Sequence, residues 1–331
     1  MTLTAARSYG FCLIFTLVIA AFGCGDTSSS AQKGKDKDKD KSEKGKDKDR
    51  GSGSAPASEA YQAAKVVGKI GTDELEEASG LAASGCQPDV LWTQNDAGDG
   101  PFIYAIGTDG RHLGTYKVNN AENIDWEDIA AFKDASGKCF LFIGDIGNNK
   151  EDRSELTVYG VAEPQISNGG IASNTRQPLE TVPAESFTFK YPDQPSNAET
   201  IMVHPQTRDL YVVTKREKGP AGVYKIKPAF GSSTVAEKVG ELTLPAIPVG
   251  LMTGGSISPD GTRVVLCDYE NGYELVLPSG GNFDSIWTQQ LTIVDLGKRK
   301  QGEAVTYSAD GNAIFATSEG KNPPLARLDR R

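Results

Sequence analysis

Short apolar strands, rather than helices, are predicted from about residue 60 to the end of the chain. Runs rich in Val, Ile, Leu, Phe and Tyr alternate there with clusters of Gly, Pro, Asn and Asp. The clearest hairpin joins DIAAF (128–132) to CFLFIGD (139–145) across the polar turn KDASGK. Carboxylates stand at the start of its first strand and at the end of its second, and in an antiparallel pair these two ends share one edge.

The strands group in fours, which is typical of a β-propeller. Four complete groups precede a fifth that lacks its outer strand, and the run AAKVVGKIG before the first group is left without a partner. Propellers often close their ring by sharing one blade between the two termini. The sequence therefore predicts an all-β fold over residues 60–331. This fold is a five-bladed β-propeller of four-stranded antiparallel blades, closed by an N-terminal strand.

A six-bladed ring is the alternative, with its additional blade in residues 165–185. That stretch shows little β pattern and is interpreted as an extended loop within blade two.

The first residues predict export and a lipid anchor. The apolar run from Phe11 to Phe22 is too short to span a bilayer and leads into Gly23-Cys24, which resembles the lipobox of bacterial lipoproteins. We predict a signal peptide over residues 1–23, lipidation of Cys24, and an extracytoplasmic location in the cell envelope, at the outer membrane or cell surface. An ordinary secretory signal is the alternative. Residues 24–59, rich in Lys/Asp and then in Gly/Ser, predict a disordered tether.

Charge is distributed unevenly along the chain. The whole chain has a net charge of −9 and its first 50 residues carry +3, so the remainder carries −12. An acidic domain argues against a nucleic-acid partner and is compatible with cation binding.

Three cysteines belong to the predicted propeller. Cys86 and Cys139 occupy equivalent turns of two adjacent blades, so a disulfide between them is predicted for an oxidising envelope. Cys267 lies within an apolar strand and is interpreted as a buried free thiol.

One polar residue opens each innermost strand when the five strands are aligned. These residues are Ser79, Glu127, Glu199, Thr253 and Glu303, with Ser256 as the alternative in blade four. Innermost strands line the central channel of a propeller, so three carboxylates should converge there and repel one another. A bound cation removes that conflict, and an oxygen-only set of ligands suits Ca²⁺. The sequence therefore predicts a calcium site in the channel.

The loops between second and third strands reach the same mouth of the channel. Lys215 and Arg216 could clamp phosphate oxygens there, Asn148 and Asn149 could contact the same substrate, and Asp96 or Asp145 could orient an attacking water. Asp and Asn are also favoured in turns for local reasons, which is the alternative interpretation of each loop.

The five polar residues that open the inner strands, called the ring residues below, resemble those of the calcium-activated nucleotidases (the apyrase family). These are five-bladed propellers whose channel calcium is held by Ser, Glu, Glu, Ser and Glu. Blade two also resembles that family in IDWEDIAAF followed by LFIGDIGNN. The resemblance implies a calcium site and hydrolysis of phosphoanhydrides or phosphoesters, but it covers mainly the inner strands.

Two functions are predicted. The first is a lipid-anchored calcium-binding module that takes a small phosphate, protein or glycan ligand at the mouth, and the alternative is a calcium-dependent phosphohydrolase. Because the family's substrate loops are not recognisable in this chain, the binding module is favoured.

Overall fold

The computed structural model describes residues 58–331 except residue 168 and residues 246–248. The predicted signal peptide, the lipidation site Cys24 and nearly all of the predicted tether lie outside the described residues. Within the described part, no helix is long and apolar enough to cross a lipid bilayer. Strands dominate this part of the chain, and a single short 3₁₀ helix spans Phe283–Thr288.

In chain order the strands are β1 (Lys65–Lys69), β2 (Ala78–Ala83), β3 (Val90–Asn95), β4 (Phe102–Gly107), β5 (His112–Lys117), β6 (Trp126–Lys133), β7 (Cys139–Asp145), β8 (Leu156–Ala162), β9 (Leu179–Glu180), β10 (Glu185–Lys190), β11 (Ala198–Val203), β12 (Leu210–Arg216), β13 (Ala221–Ile226), β14 (Ser233–Val235), β15 (Glu237–Leu242), β16 (Gly250–Leu251), β17 (Gly254–Ile257), β18 (Arg263–Cys267), β19 (Gly272–Val276), β20 (Thr292–Val294), β21 (Gly302–Tyr307), β22 (Ala313–Ser318) and β23 (Pro324–Asp329). They form five sheets, so the predicted five-bladed β-propeller is confirmed. The inner strands β2, β6, β11, β17 and β21 contact one another from blade to blade, as strands around a central channel do.

The ring closes through its N-terminal strand, as predicted. Strand β1 pairs antiparallel with β23, from Lys65 opposite Arg327 to Lys69 opposite Pro324, and is the outermost strand of blade five. Tyr61, just before β1, is buried and its hydroxyl donates to the buried carboxylate of Glu274 in blade four. Closure therefore combines a sheet ladder with a buried polar contact between the N-terminal segment and a neighbouring blade.

Short additional strands extend three blades beyond the predicted four, and in blade three the addition is β16, which pairs with the end of β12. Residues 165–185, interpreted from the sequence as a loop of blade two, contain β9, which pairs in parallel with the outer strand β5 of blade one. Strand β14 pairs in parallel with β10 in the same way, so blade two gains a strand from the connection that follows β13. These crossovers cover outer edges that would otherwise be exposed to strand addition.

The outer part of blade four combines a short helix with a short strand. Within the apolar run WTQQLTIV, Trp287 lies in the 3₁₀ helix and only Thr292–Val294 are extended. The Asn282 side chain caps the helix by accepting from the Asp284 amide at 3.0 Å. The buried Trp287 ring packs on Tyr211 of blade three, with 5.5 Å between ring centroids. Packing of this aromatic residue against the next blade therefore overrides the local strand pattern.

Aromatic side chains pack the blades against one another. Trp92 and Trp126 are fully buried in one apolar cluster shared by blades one and two. The Trp126 indole N–H donates to the Glu122 carbonyl at 2.8 Å, so its polar atom is satisfied while its ring fills the core. This packing fixes the start of β6, which carries Glu127 and Asp128.

The predicted disulfide is present. Cys86 and Cys139 are bonded with a Cα–Cα distance of 6.0 Å, and they join the corresponding turns of blades one and two. The other prediction for a cysteine of the body is also confirmed, because the Cys267 thiol is free and buried.

Replacing both Cys86 and Cys139 with serine should lower the free energy of unfolding by about 3 kcal/mol, because the 53-residue separation is no longer constrained in the unfolded chain. Chemical denaturation measures the change. Wild-type protein kept in reductant is the control and should unfold at the same midpoint as the double variant. An unchanged midpoint in both would contradict the stabilising role.

Candidate functional site

The five aligned ring residues share one unusual backbone position, which is a bulge at the start of each inner strand. The register of the ladder shifts at Ser79, Glu127, Glu199 and Glu303. In blade four the Thr253 amide donates to the Cys267 carbonyl, while the next residue is already the ladder partner of Cys267. A β-bulge redirects the side chain at the extra residue, so the alignment identified five structurally equivalent positions.

The three ring glutamates are buried together at the channel mouth. Their exposed fractions are 3% for Glu127, 5% for Glu199 and 6% for Glu303. Burial, and then the charge of Glu199, raises the pKa of Glu127 well above its usual value. Burial raises the pKa of Glu199 to about 7 and that of Glu303 to about 9, the latter with a contribution from hydrogen-bonded Glu319. Glu127 and Glu303 therefore both lie near enough to Glu199 to feel its charge, as a convergence of these carboxylates requires.

The two hydroxyl members of the ring make contacts between blades. Ser79 Oγ donates to the backbone carbonyl of Glu127, and Thr253 Oγ1 donates to the carbonyl of Gly302 at 2.9 Å. Each hydroxyl therefore joins its own inner strand to the next one, and only its lone pairs remain for a ligand. The alternative residue Ser256 lies elsewhere, because its hydroxyl is 3.3 Å from Thr306 Oγ1, three residues beyond the ring position of blade five.

A compact group of three carboxylates lies beside the ring. Asp96, Asp125 and Glu127 each offer a carboxylate oxygen, and these oxygens all lie within 4.8 Å of one another. Burial, followed by the charge of Asp96, raises the pKa of Asp125 to about 6, and burial also raises the pKa of Asp96. The structure thus places the predicted water-orienting residue Asp96 in a cluster of potential metal ligands.

Lys215 supplies a cation inside the acidic mouth. Its ammonium pairs with Glu199 Oε1 and lies 5.0 Å from the ring centroid of Tyr269. The second carboxylate oxygen of Glu199, Oε2, is buried and has no hydrogen-bond partner among the described residues. An unpaired buried carboxylate oxygen is costly unless a cation or a proton reaches it.

Arg216, the second predicted phosphate ligand, points to a different carboxylate. Its Nη1 atom donates to Glu151 Oε1 at 2.7 Å. The two cationic side chains predicted to clamp phosphate are therefore each paired with a carboxylate of this chain, and the pairs lie on neighbouring residues of β12.

Asp145, Asn148 and Asn149 make structural contacts at the channel mouth. Asp145 is fully buried, lies 2.8 Å from Arg153 Nη2, and accepts from the amide of Asp125 at 3.2 Å. Asn148 and Asn149 both contact the side chain of Asn197 in blade three, at 2.6 Å and 3.1 Å. These contacts position the segment carrying Asp125 against the next blade.

Asp128, which the sequence analysis did not assign to the site, forms the floor of the mouth. Its fully buried carboxylate accepts the amides of Ile129 at 2.8 Å and Ile201 at 3.0 Å. The amides of Leu81 and Gly255 also lie close to it and favour its charged form. These four amides stand two residues beyond the ring position in blades one to four, so one carboxylate lies among four inner strands and accepts from two of them. Burial raises its pKa well above the usual value, and the four amides oppose that rise.

The alignment of the inner strands already distinguishes Asp128 from the equivalent residues of the other blades. The residue after each ring position is Gly80, Thr200, Gly254 or Ala304 in the other blades, so only blade two places a long acceptor there. A Cβ atom at Gly80 would lie 2.6 Å from Asp128 Oδ1, which shows how closely the carboxylate fills the axis.

A second row of polar residues precedes the ring by two positions. It includes Glu77, Asp125, Asn197 and Gln301, and the sequence analysis used none of them as site residues. Burial, followed by the charges of Asp96 and Glu319, raises the pKa of Glu77. The mouth is therefore more acidic than the predicted ring, and it can attract a divalent cation but not an unpartnered anion.

No known protein family matches the chain, and no curated protein is significantly similar to it in sequence. The resemblance of the inner strands to the calcium-activated nucleotidases therefore stays a prediction from the sequence.

Proposed function

We propose that this protein is a calcium-dependent binding module whose propeller holds Ca²⁺ at the channel mouth and presents it to a ligand. The observation that supports this most directly is the group formed by Asp96, Asp125 and Glu127, whose carboxylate oxygens lie within 4.8 Å of one another. The buried Glu199 Oε2, which has no hydrogen-bond partner among the described residues, independently supports a further cation ligand at the mouth.

The donor set fits calcium. All the potential ligand atoms of this cluster are carboxylate oxygens, and hard oxygen ligands suit Ca²⁺ better than zinc or copper. A divalent ion held by Asp96, Asp125 and Glu127 would offset the repulsion that raises the pKa values of these carboxyl groups. The bound ion would supply a positive centre to which carboxylate, phosphate or glycan oxygens of a ligand can coordinate.

Binding is favoured over hydrolysis by the contacts of three residues that were predicted to bind phosphate or to orient the attacking water. Lys215 and Arg216 are paired with Glu199 and Glu151, and Asp145 is fully buried against Arg153 and backbone amides. A phosphate clamp needs cations free to face the substrate, and a general base must reach the attacking water. These contacts support an ion-presenting module more than a phosphohydrolase.

An extracytoplasmic, lipid-anchored location agrees with this proposal. The Cys86–Cys139 disulfide persists in oxidising compartments. A lipid on Cys24 would tether the propeller to a membrane and leave its mouth free for a phosphate, protein or glycan partner.

Calcium titration of the purified full-length protein by calorimetry tests the proposal. Wild type should bind calcium, and Glu127→Gln should weaken binding at least about tenfold because it removes one charged ligand from the cluster. Glu151→Gln is the matched control at the rim and should bind like wild type. Absence of calcium binding by wild type would refute the proposed function.

The ligand class and the alternative activity are tested with the same preparations. Phosphate esters, nucleotides and glycans are screened for binding with calcium and with chelator, and phosphate release is followed in parallel. Calcium-dependent binding without phosphate release is the expected result. Calcium-dependent turnover that is lost in Glu127→Gln would establish the phosphohydrolase instead.

A further inference from the structure

Lys215 occupies the place of a counter-ion in the mouth. Its ammonium pairs with Glu199, which is 5% exposed, and it lies over the face of Tyr269. Its charge also acts on Asp96 and Glu127, two of the three carboxylates of the proposed calcium cluster. In the metal-free protein, this ammonium therefore supplies positive charge that the mouth needs.

The backbone of Lys215 is anchored, whereas its side chain can rotate. The Lys215 amide donates to the Asn197 carbonyl at 3.0 Å, and the residue pairs with Leu251 of β16. A lysine ammonium is a point charge on a flexible four-carbon stem. The ammonium can consequently leave Glu199 without any change in the blade.

We propose that Lys215 is an internal competitor for the metal: divalent cation binding at the channel mouth requires its ammonium to leave Glu199. This inference rests on the proposed calcium site. The two positive charges repel each other when they share one group of carboxylates, and the metal also needs the carboxylate oxygens that Lys215 neutralises. Lys215 thereby lowers the affinity of the mouth for calcium, so that the site responds to high calcium concentrations.

Calorimetric calcium titration of Lys215→Met, in the full-length protein, tests the proposal. Methionine keeps an unbranched apolar chain and removes the ammonium, so calcium should bind more than about tenfold more tightly than to wild type, given the repulsion at an effective dielectric constant near 20. Arg216→Met is the matched control, since it removes one charge from the neighbouring residue, and its affinity should stay close to that of wild type. Equal or weaker calcium binding by Lys215→Met would overturn the proposal.

Wild-type protein gives a second measurement that does not depend on a variant folding. Acetylation of lysines by sulfo-N-hydroxysuccinimide acetate, read by mass spectrometry, should rise at Lys215 when calcium is added. Lys225 is the internal control, because its ammonium is paired with Asp284 and its side chain is 16% exposed, against 17% for Lys215. Its labelling should not change. Equal labelling of Lys215 with calcium and with chelator would also overturn the proposal.

The failure of this inference is distinguishable from failure of the proposed function. If neither wild type nor Lys215→Met binds calcium, the calcium site itself is refuted. If wild type binds calcium and Lys215→Met gains no affinity, only the competition is refuted.

Discussion

Replacing Asp128 with alanine is expected to lower the free energy of unfolding by about 4 kcal/mol, since burying donors without their acceptor costs roughly 1–3 kcal/mol each. The carboxylate accepts the amides of Ile129 and Ile201 at the propeller axis, and the amides of Leu81 and Gly255 lie close to it. Without it, the buried amides of Ile129 and Ile201 lose their acceptor. Chemical denaturation measures the loss, and the variant should unfold at a much lower denaturant concentration.

Asp134→Ala is the matched control for Asp128→Ala. Asp134 also accepts backbone amides, from Ser136 at 2.8 Å and Lys138 at 2.9 Å, but it lies in an exposed turn of the same blade. Water can replace its bonds, so its removal should change stability little. Gly80→Ala should be destabilising in turn, because its Cβ would meet Asp128 Oδ1. Similar unfolding midpoints for Asp128→Ala and Asp134→Ala would contradict the stabilising role of the Asp128 carboxylate at the propeller axis.

Calcium should stabilise the protein, and its effect should grow as the pH rises. In the metal-free protein the folded-state pKa is about 6 for Asp125, about 7 for Glu199 and about 9 for Glu303, all raised first by burial. Between its ordinary and its raised pKa, such a carboxyl group holds a proton in the folded state but not in the unfolded one. The free energy of unfolding therefore falls as the pH rises from about 4.5 to about 9.

Bound calcium offsets the negative charge that these carboxyl groups acquire as they lose their protons, so it should reduce this pH dependence. At a free calcium concentration one thousand times the dissociation constant, the stabilisation amounts to about 4 kcal/mol. Thermal melts with calcium and with chelator at pH 6, 7 and 9 measure the difference, which should be largest at pH 9. Glu303→Gln removes one carboxyl group whose pKa is strongly raised and should flatten the chelator curve. Coincident curves with and without calcium at every pH would contradict the calcium site.

Glu199→Gln distinguishes an effect on calcium binding from an effect on folding. The substitution keeps the shape of the side chain, so the blades should remain folded. It also removes the charged partner of Lys215. Calcium should then stabilise the variant less than wild type in the same thermal melts, because the mouth has lost one negative charge.

Repetition along the chain was sufficient to predict the architecture. Each blade repeats the same alternation of apolar runs and turns, so counting the groups predicted five sheets, and the unpaired run containing Lys65–Lys69 predicted the closure with β23. The alignment of inner strands also predicted Glu127, Glu199 and Glu303 at equivalent positions, and equivalent turns predicted the Cys86–Cys139 bond. The architecture and the equivalent positions can be read from the sequence because a propeller repeats one supersecondary unit, so the same pattern of strands and turns recurs in every blade.

The contacts of individual side chains were decided by the tertiary structure. The bulges turn the ring residues toward the mouth, and no residue type in the sequence marks a bulge. The pairing of Lys215 with Glu199 and the burial of Asp145 against Arg153 depend on distances between loops that sequence spacing does not specify. Asp128 reached the axis because small residues in the other blades left it space, and this becomes visible only when the strands surround one centre. The sequence by itself therefore determined which residues occupy equivalent positions in the blades. Which of these residues contact one another was decided by the closed ring, because such contacts depend on distances across the channel.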